Sequence, residues 1–182
     1  MSTKNTYDVL LAGGGIMGCA IAYHLLKRDP TLHVLIVERD SSYTKASTTL
    51  SDGNTRIQFN LKQNILISLY GLEVLSTFAE EFATKDHTPV INFRQQGNLY
   101  LVSEAGREFA QQGVALQKSL GCEIEWLEPH QIRDLYPLYP GSDTVVGATF
   151  GHKDWTMSPR DVLLGYRRKA IELGATIIEA EI

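Results

Sequence analysis

Apolar residues fall in short blocks closed by glycine or proline, and their spacing changes from block to block. Tyr7 to Ala12 is a near-continuous apolar run of the kind a strand buried on both faces needs, and glycines stop it at Gly13. Cys19 to Leu26 predicts a helix with small residues near its start. Asp29-Pro30 ends it, because proline disfavours helical geometry in the residue before it. Leu32 to Glu38 predicts a second buried strand. After a hydroxyl-rich stretch, Asn60 to Gln63 has the form of a capping box. Leu61, Ile65, Leu69, Leu72, Leu75 or Phe78, and Phe82 then recur at helical spacing through one long amphipathic helix.

Further on, Val90 to Phe93 and Leu99 to Val102 predict a hairpin or bulged strand around Gly97. Residues 104 to 120 predict a helix and Glu123 to Leu127 a strand. A short helix comes next, started at Glu128-Pro129 and stopped at Tyr136-Pro137. Val145 to Phe150 is strand-like. Ser158-Pro159-Arg160-Asp161 combines an N-cap serine, a first-turn proline and an acidic third residue, so a helix starts there. Gly174 caps it, and Ala175 to Ile182 begins a strand expected to return to the sheet of the first two.

The bulk properties narrow the function classes. With 17 basic against 21 acidic residues among 182, and no basic cluster interleaved with aromatics, the chain offers no field for a nucleic-acid backbone. No apolar run near the start is long enough for a membrane span or a signal core, so a cytoplasmic protein is the expectation. Cys19 and Cys122 are far apart in apolar segments and are expected to be buried thiols. His24, His33, His87, His130 and His152 show no metal-ligand spacing, so no metal is expected.

The chemistry concentrates in the first forty residues, where Gly13 to Gly18 fits Gly-x-Gly-x-x-Gly between strand and helix. Gly13 permits the tight turn, Gly15 lets backbone approach a pyrophosphate, and Gly18 lets the helix sit close on the strand. Free N–H groups and the positive dipole end of the helix, at Ile16 and Met17, would face the phosphates. Glu38, 20 residues after Gly18, can accept hydrogen bonds from an adenosine ribose and would repel a 2'-phosphate, which disfavours NADP. A lone glycine cluster is more often an ordinary loop and a strand-end glutamate merely solvated. Here strand, loop, small-residue helix and acid occur together in the right order.

FAD and NAD both use such a unit, so the choice between them rests on the residues after Glu38. From Ser41 to Arg56 runs a long hydroxyl-rich loop where a nicotinamide-binding domain would start another helix and strand. Its hydroxyls and N–H groups can lie along a pyrophosphate and a flavin edge. The chain resembles the D-amino-acid-oxidase-like superfamily of FAD-dependent oxidoreductases, which includes sarcosine oxidase, glycine oxidase and dimethylglycine dehydrogenase. The resemblance rests on Asp8 to Gly18, Val37-Glu38-Arg39, Ala46 to Thr49, and Gly53 to Ile57. Phe93 to Leu101 and Leu173 to Ile178 add family-typical pieces.

That resemblance implies an α/β fold, with a Rossmann-like FAD-binding βαβ unit and part of a mixed-sheet α+β substrate domain. Residues 1–85 would form the N-terminal part of the FAD-binding domain and 86–152 part of the substrate or cap domain. Residues 153–182 would return to the FAD-binding domain. It implies Gly13, Gly15, Ile16, Met17, Gly18, Glu38, Arg39, Ser47, Thr48, Thr49 and Ser51 as contacts of FAD. Arg56 is implied as a cation near the flavin ring that favours the reduced anion and orients an acidic substrate; a surface or fold-stabilising ion pair is its alternative role. No histidine lies between residues 34 and 86, so covalent flavin attachment in this region is not expected.

The implied reaction takes hydride from the carbon beside a primary or secondary amine of a small amine or amino-acid substrate. The imine then hydrolyses and an acceptor reoxidises the flavin. The chain is expected to be a truncated piece, inactive by itself, that needs a missing C-terminal half or partner subunit. An NAD-dependent dehydrogenase and a non-catalytic dinucleotide-binding module are the alternatives.

Overall fold

The structure, a computed structural model, describes residues 6–182 and forms two compact units. The first comprises the chain up to Gly53, Thr77–Asn92 and Ser158–Ile182; the second comprises Asn54–Ser76 and Phe93–Met157. The division differs from the expected one at 85/86 and 152/153: residues 54–76 and 153–157 belong with the second unit and 86–92 with the first, and helix α2 (Lys62–Ser76) packs on α4 (Arg107–Ser119).

In the first unit, β1 (Val9–Ala12), β2 (Val34–Glu38) and β9 (Thr176–Glu179) form a parallel sheet in the order β1-β2-β9. The expected return of the last strand to this sheet is seen, with Leu35 paired to Thr176 and Glu38 to Glu179. Strand β2 is central, and Val34 to Val37 are all buried, as its unbroken apolar run requires. β1 departs from the two-faced burial read from its sequence. It pairs only with β2 among the described residues, and Leu10 is 57% exposed.

Helix α1 (Ile16–Arg28) joins β1 to β2 and packs on α6 (Pro159–Glu172). It starts three residues before Cys19, inside the glycine motif. The Ser158 hydroxyl caps α6 by accepting from the Asp161 N–H, and Gly174 ends the turn with φ +109°, a conformation suited to glycine. Phe78 and Phe82 stack at 4.2 Å and meet Tyr166 edge-on. Gly165 leaves room for the Phe78 ring, which would stand 2.5 Å from an added Cβ. This aromatic cluster explains why the long helix read from residue 61 onward breaks. Thr77 leaves helical geometry, and α3 (Phe78–Glu81) turns its two flanking phenylalanines into the core of the first unit.

In the second unit, β5 (Asn98–Ser103), β7 (Val145–Gly151) and β6 (Ile124–Leu127) form an antiparallel sheet in the order β5-β7-β6. Helices α4 and α5 (Pro129–Leu135) pack on it, and Leu127, Ile132 and Ala148 form its buried centre. Glu128 and Gln131 close a capping box at the start of α5. A second small antiparallel sheet contains β3 (Asn54–Thr55), β8 (Trp155–Thr156) and β4 (Arg94–Gln95). The hairpin expected from Val90 to Phe93 and Leu99 to Val102 around Gly97 is not formed, and residues 90–93 carry no strand, which starts only at β4. β4 pairs with β8 and β5 with β7, and Gly97, at φ +75°, turns the chain from one sheet to the other.

Candidate functional site

The motif glycines form the turn from β1 into α1. Gly13 has φ +95° and its N–H donates to the Val37 carbonyl, which ties the loop to β2. Gly18 approaches the chain so closely that an added Cβ would stand 2.0 Å from the Gly13 carbonyl oxygen. At Gly15 the space is open, and the nearest atom to an added Cβ is Thr48 Oγ1 at 3.9 Å. Gly15 is also the N-cap of α1, where no side chain caps the helix and no acidic residue occupies the first turn. A cradle without a Cβ thus adjoins N–H groups that the helix leaves without intrahelical acceptors. Ile16 N–H meets Thr48 Oγ1 at a long 3.5 Å, and Met17 at the rim is 71% exposed.

Glu38, at the end of β2, is more engaged than its sequence position indicates. Its Oε2 accepts from the Gly14 N–H at 2.6 Å and its Oε1 from the Asp40 N–H at 3.0 Å. Each carboxylate oxygen accepts more than one hydrogen bond, so capacity for sugar hydroxyls remains. Glu38 and Arg39 line a cavity of about 220 Å³ with Gly13 and residues 180–182 of the chain end. With Ser47 and Lys45 they line a second of about 180 Å³. The Thr49 hydroxyl oxygen is buried without a hydrogen-bond partner among the described residues, and Ser51 Oγ accepts from the Gly53 N–H at 3.2 Å. The first unit thus brings together the glycine loop, Glu38, Arg39, Ser47 and Thr48, while Thr49 and Ser51 line neither cavity.

Sequence reasoning passed over three contributors. Gly14 is needed because an added Cβ would meet Glu38 Cβ at 3.0 Å and Tyr43 Oη at 3.2 Å. Tyr43, 2% exposed and held at φ +58°, brings its hydroxyl oxygen against Gly14, and nothing in the local sequence marks it for burial. Cys19 is buried as expected, and its thiol also donates to the Gly14 carbonyl at 3.0 Å, while burial pushes its pKa up to about 12. A thiol that keeps its proton in the fold but ionises near 9 when unfolded contributes stability that is complete below pH 9. That contribution is lost as pH rises towards 12. Thermal unfolding from pH 8 to 11 is expected to fall more steeply for the parent than for Cys19→Ala. Equal slopes would show the thiol to be uncoupled from folding.

Arg56 belongs to the second unit. Its guanidinium lies over the rings of Phe59, at 5.2 Å, and Tyr100, at 5.6 Å. It lines a cavity of about 290 Å³ with Gln58, Tyr100, Phe109 and Thr149. No ion pair within 4.0 Å engages it among the described residues. Among those residues no cluster could hold a metal ion and no helix is long and apolar enough to cross a membrane.

A glycine cradle at a bare helix end, with an acid on the neighbouring strand, suits a dinucleotide. The family model for FAD dependent oxidoreductases, DAO, matches residues 8–182. The chain belongs to that family. Its cofactor is FAD, and the open cradle at Gly15 and the uncapped start of α1 fit its pyrophosphate.

Among relatives of this FAD-dependent chain, FAD-dependent oxidoreductase domain-containing protein 1 of Bos taurus is 34% identical over 181 residues. The match covers 96% of this chain and 37% of that protein. Sarcosine oxidase subunit beta of an Arthrobacter species is 29% identical, with 97% of this chain and 43% of that protein covered. The chain thus spans well under half the length of these relatives. Among solved structures, L-proline dehydrogenase from P. horikoshii superposes with a TM-score of 0.80 at 24% identity. It covers 96% of this chain and 44% of its own. Glycine oxidase from Geobacillus kaustophilus gives 0.77 at 22%, covering 95% and 46%. At these identities the two structures establish the shared fold.

Proposed function

We propose that the protein uses FAD to oxidise the C–N bond of a small amine or amino acid. The observation that carries this reading is the pairing of an uncapped, side-chain-free helix start at Gly15 with a carboxylate at Glu38, in a chain of the FAD-dependent family. The amine assignment draws support from the relative named sarcosine oxidase subunit beta. When bound, FAD supplies the acceptor for a hydride leaving the carbon beside nitrogen, and the resulting imine is hydrolysed by water.

The chain's own residues bind and orient. Gly13, Gly15 and Gly18 admit the pyrophosphate to the N–H groups of Ile16 and Met17. Glu38 takes the adenosine ribose and Arg39 flanks it. Ser47, Thr48, Thr49 and Ser51 shape the loop beside the phosphates. Arg56 is the cation that orients an acidic substrate. A preparation of these 182 residues is expected to hold FAD without turnover, and turnover is expected of a protein with the relatives' length.

The test loads both preparations with FAD and mixes them, without oxygen, with sarcosine, glycine or L-proline. Bleaching of the flavin absorbance by one of these, in the longer protein, supports the reading. A longer protein that binds no FAD, or that turns over only with NAD, defeats it.

A further inference from the structure

The small sheet of the second unit contains a carboxylate with no solvent contact. Asp154 is 0% exposed and sits immediately before β8. The β3–β8 ladder pairs Asn54 with Thr156 and Thr55 with Trp155, so the next step would oppose Arg56 to Asp154. There the ladder stops and the Asp154 side chain takes over. Its Oδ1 accepts from the Ile57 N–H at 2.7 Å and its Oδ2 from Gln58 Nε2 at 2.7 Å. The same Gln58 amide donates to the Asn98 carbonyl at 2.9 Å, and its Oε1 accepts from the Thr149 hydroxyl at 2.7 Å. Asp154 is itself fixed, since its N–H donates to the Gly151 carbonyl and its own carbonyl accepts from the Gly97 N–H.

We propose that Asp154 is the positioning residue of Arg56: by clamping Ile57 and Gln58 it holds the Arg56 guanidinium on the Phe59 and Tyr100 rings in the wall of the 290 Å³ cavity. The inference rests on the reading of Arg56 as the cation that orients an acidic substrate. Arg56 stands between a two-residue ladder on one side and a carboxylate clamp on the other, so its backbone has one conformation and the side chain leaves it in one direction. Burial pushes the Asp154 carboxyl up, while the Gln58, Ile57 and Asn98 donors and, least of these, the charge of Arg56 pull it back. A buried aspartate that only braced the turn would have no reason to act through Arg56.

Non-additivity separates the two roles. In the FAD-loaded protein of the relatives' length, with sarcosine, glycine and L-proline as probes, Asp154→Asn is expected to raise KM about tenfold or more with a far smaller change in kcat. Arg56→Ala is expected to raise KM at least as much, and the double variant no further. Exchange of the Ile57 amide, read by hydrogen exchange, is expected to quicken in Asp154→Asn but not in Arg56→Ala. Should Asp154→Asn fold poorly, Gln58→Met removes one half of the clamp and is expected to give a smaller KM increase that also vanishes in the Arg56→Ala background. If the two losses multiply, Asp154 is a brace and the positioning role is wrong. If Arg56→Ala leaves KM unchanged while turnover persists, the reading of Arg56 has failed and this inference falls with it.

Discussion

Gly18→Ala is expected to abolish measurable FAD binding and to lower the melting temperature of the FAD-free protein, whereas Gly15→Ala is expected to leave the fold intact and weaken FAD about tenfold or more. The two glycines differ in what an added methyl meets. At Gly18 it would lie 2.0 Å from the Gly13 carbonyl oxygen and 3.1 Å from the carbonyl carbon, and both are backbone atoms of the turn. Nothing flexible can yield, so helix and turn must separate at a cost of about 1–3 kcal/mol, typical of an overpacked site. That separation also moves the N–H groups that would hold the phosphates. At Gly15 the methyl would meet only Thr48 Oγ1 at 3.9 Å, and the backbone is extended, with φ −64° and ψ −174°, which alanine tolerates. Weaker N-capping by alanine costs at most about 1 kcal/mol. The methyl would, however, occupy the space through which a pyrophosphate reaches the helix start. Melting curves without FAD, set beside dissociation constants from flavin fluorescence, separate the cases. A Gly15→Ala protein that binds FAD as tightly as the parent would remove the cradle from the proposal.

The contrast between these residues mirrors what was legible in the sequence. Gly13, Gly15, Gly18 and Glu38 stand within one local βαβ unit, where spacing along the chain becomes spacing in the fold, so their placement came from pattern alone. The Ser158 cap and the Gly174 stop were legible for the same reason. The missed features depend on partners distant in sequence. Thr77 lies in a run whose apolar period continues through Phe82, and the helix breaks because Phe78 and Phe82 pack against Tyr166, more than eighty residues later. Val90 to Phe93 and Leu99 to Val102 read as a hairpin around one glycine, yet the chain pairs as β4 and β5 on separate edges offered by β8 and β7. Leu10 reads as core, but β1 lies at the edge of the sheet among the described residues. Asp154 and Tyr43 carry no local signal. An aspartate before Trp155 and a tyrosine in a hydroxyl-rich loop read as solvated until the fold brings Ile57 and Gly14 beside them.

Glu38→Gln is expected to weaken FAD and ADP by the same factor, about tenfold, and to destabilise the FAD-free protein as well. The carboxylate accepts from two backbone donors at once, the Gly14 and Asp40 N–H groups. Hydrogen bonds to a charged acceptor contribute about 1.5–3 kcal/mol, against roughly 1 for a neutral one. Glutamine can offer its single oxygen to only one of the two; its amide N–H groups then face the other donor, which is left partly buried and unsatisfied. The glycine loop therefore loosens on the side nearest β2. The sugar contact weakens in parallel, because a ribose hydroxyl that donated to a carboxylate oxygen now meets a neutral amide. ADP tests this directly, since it has the adenosine ribose and the pyrophosphate but no flavin. If FAD weakens and ADP does not, Glu38 acts elsewhere than on the sugar. If neither weakens, the carboxylate serves only the Gly14 and Asp40 amides, and the adenosine half of the cofactor must be held by other groups.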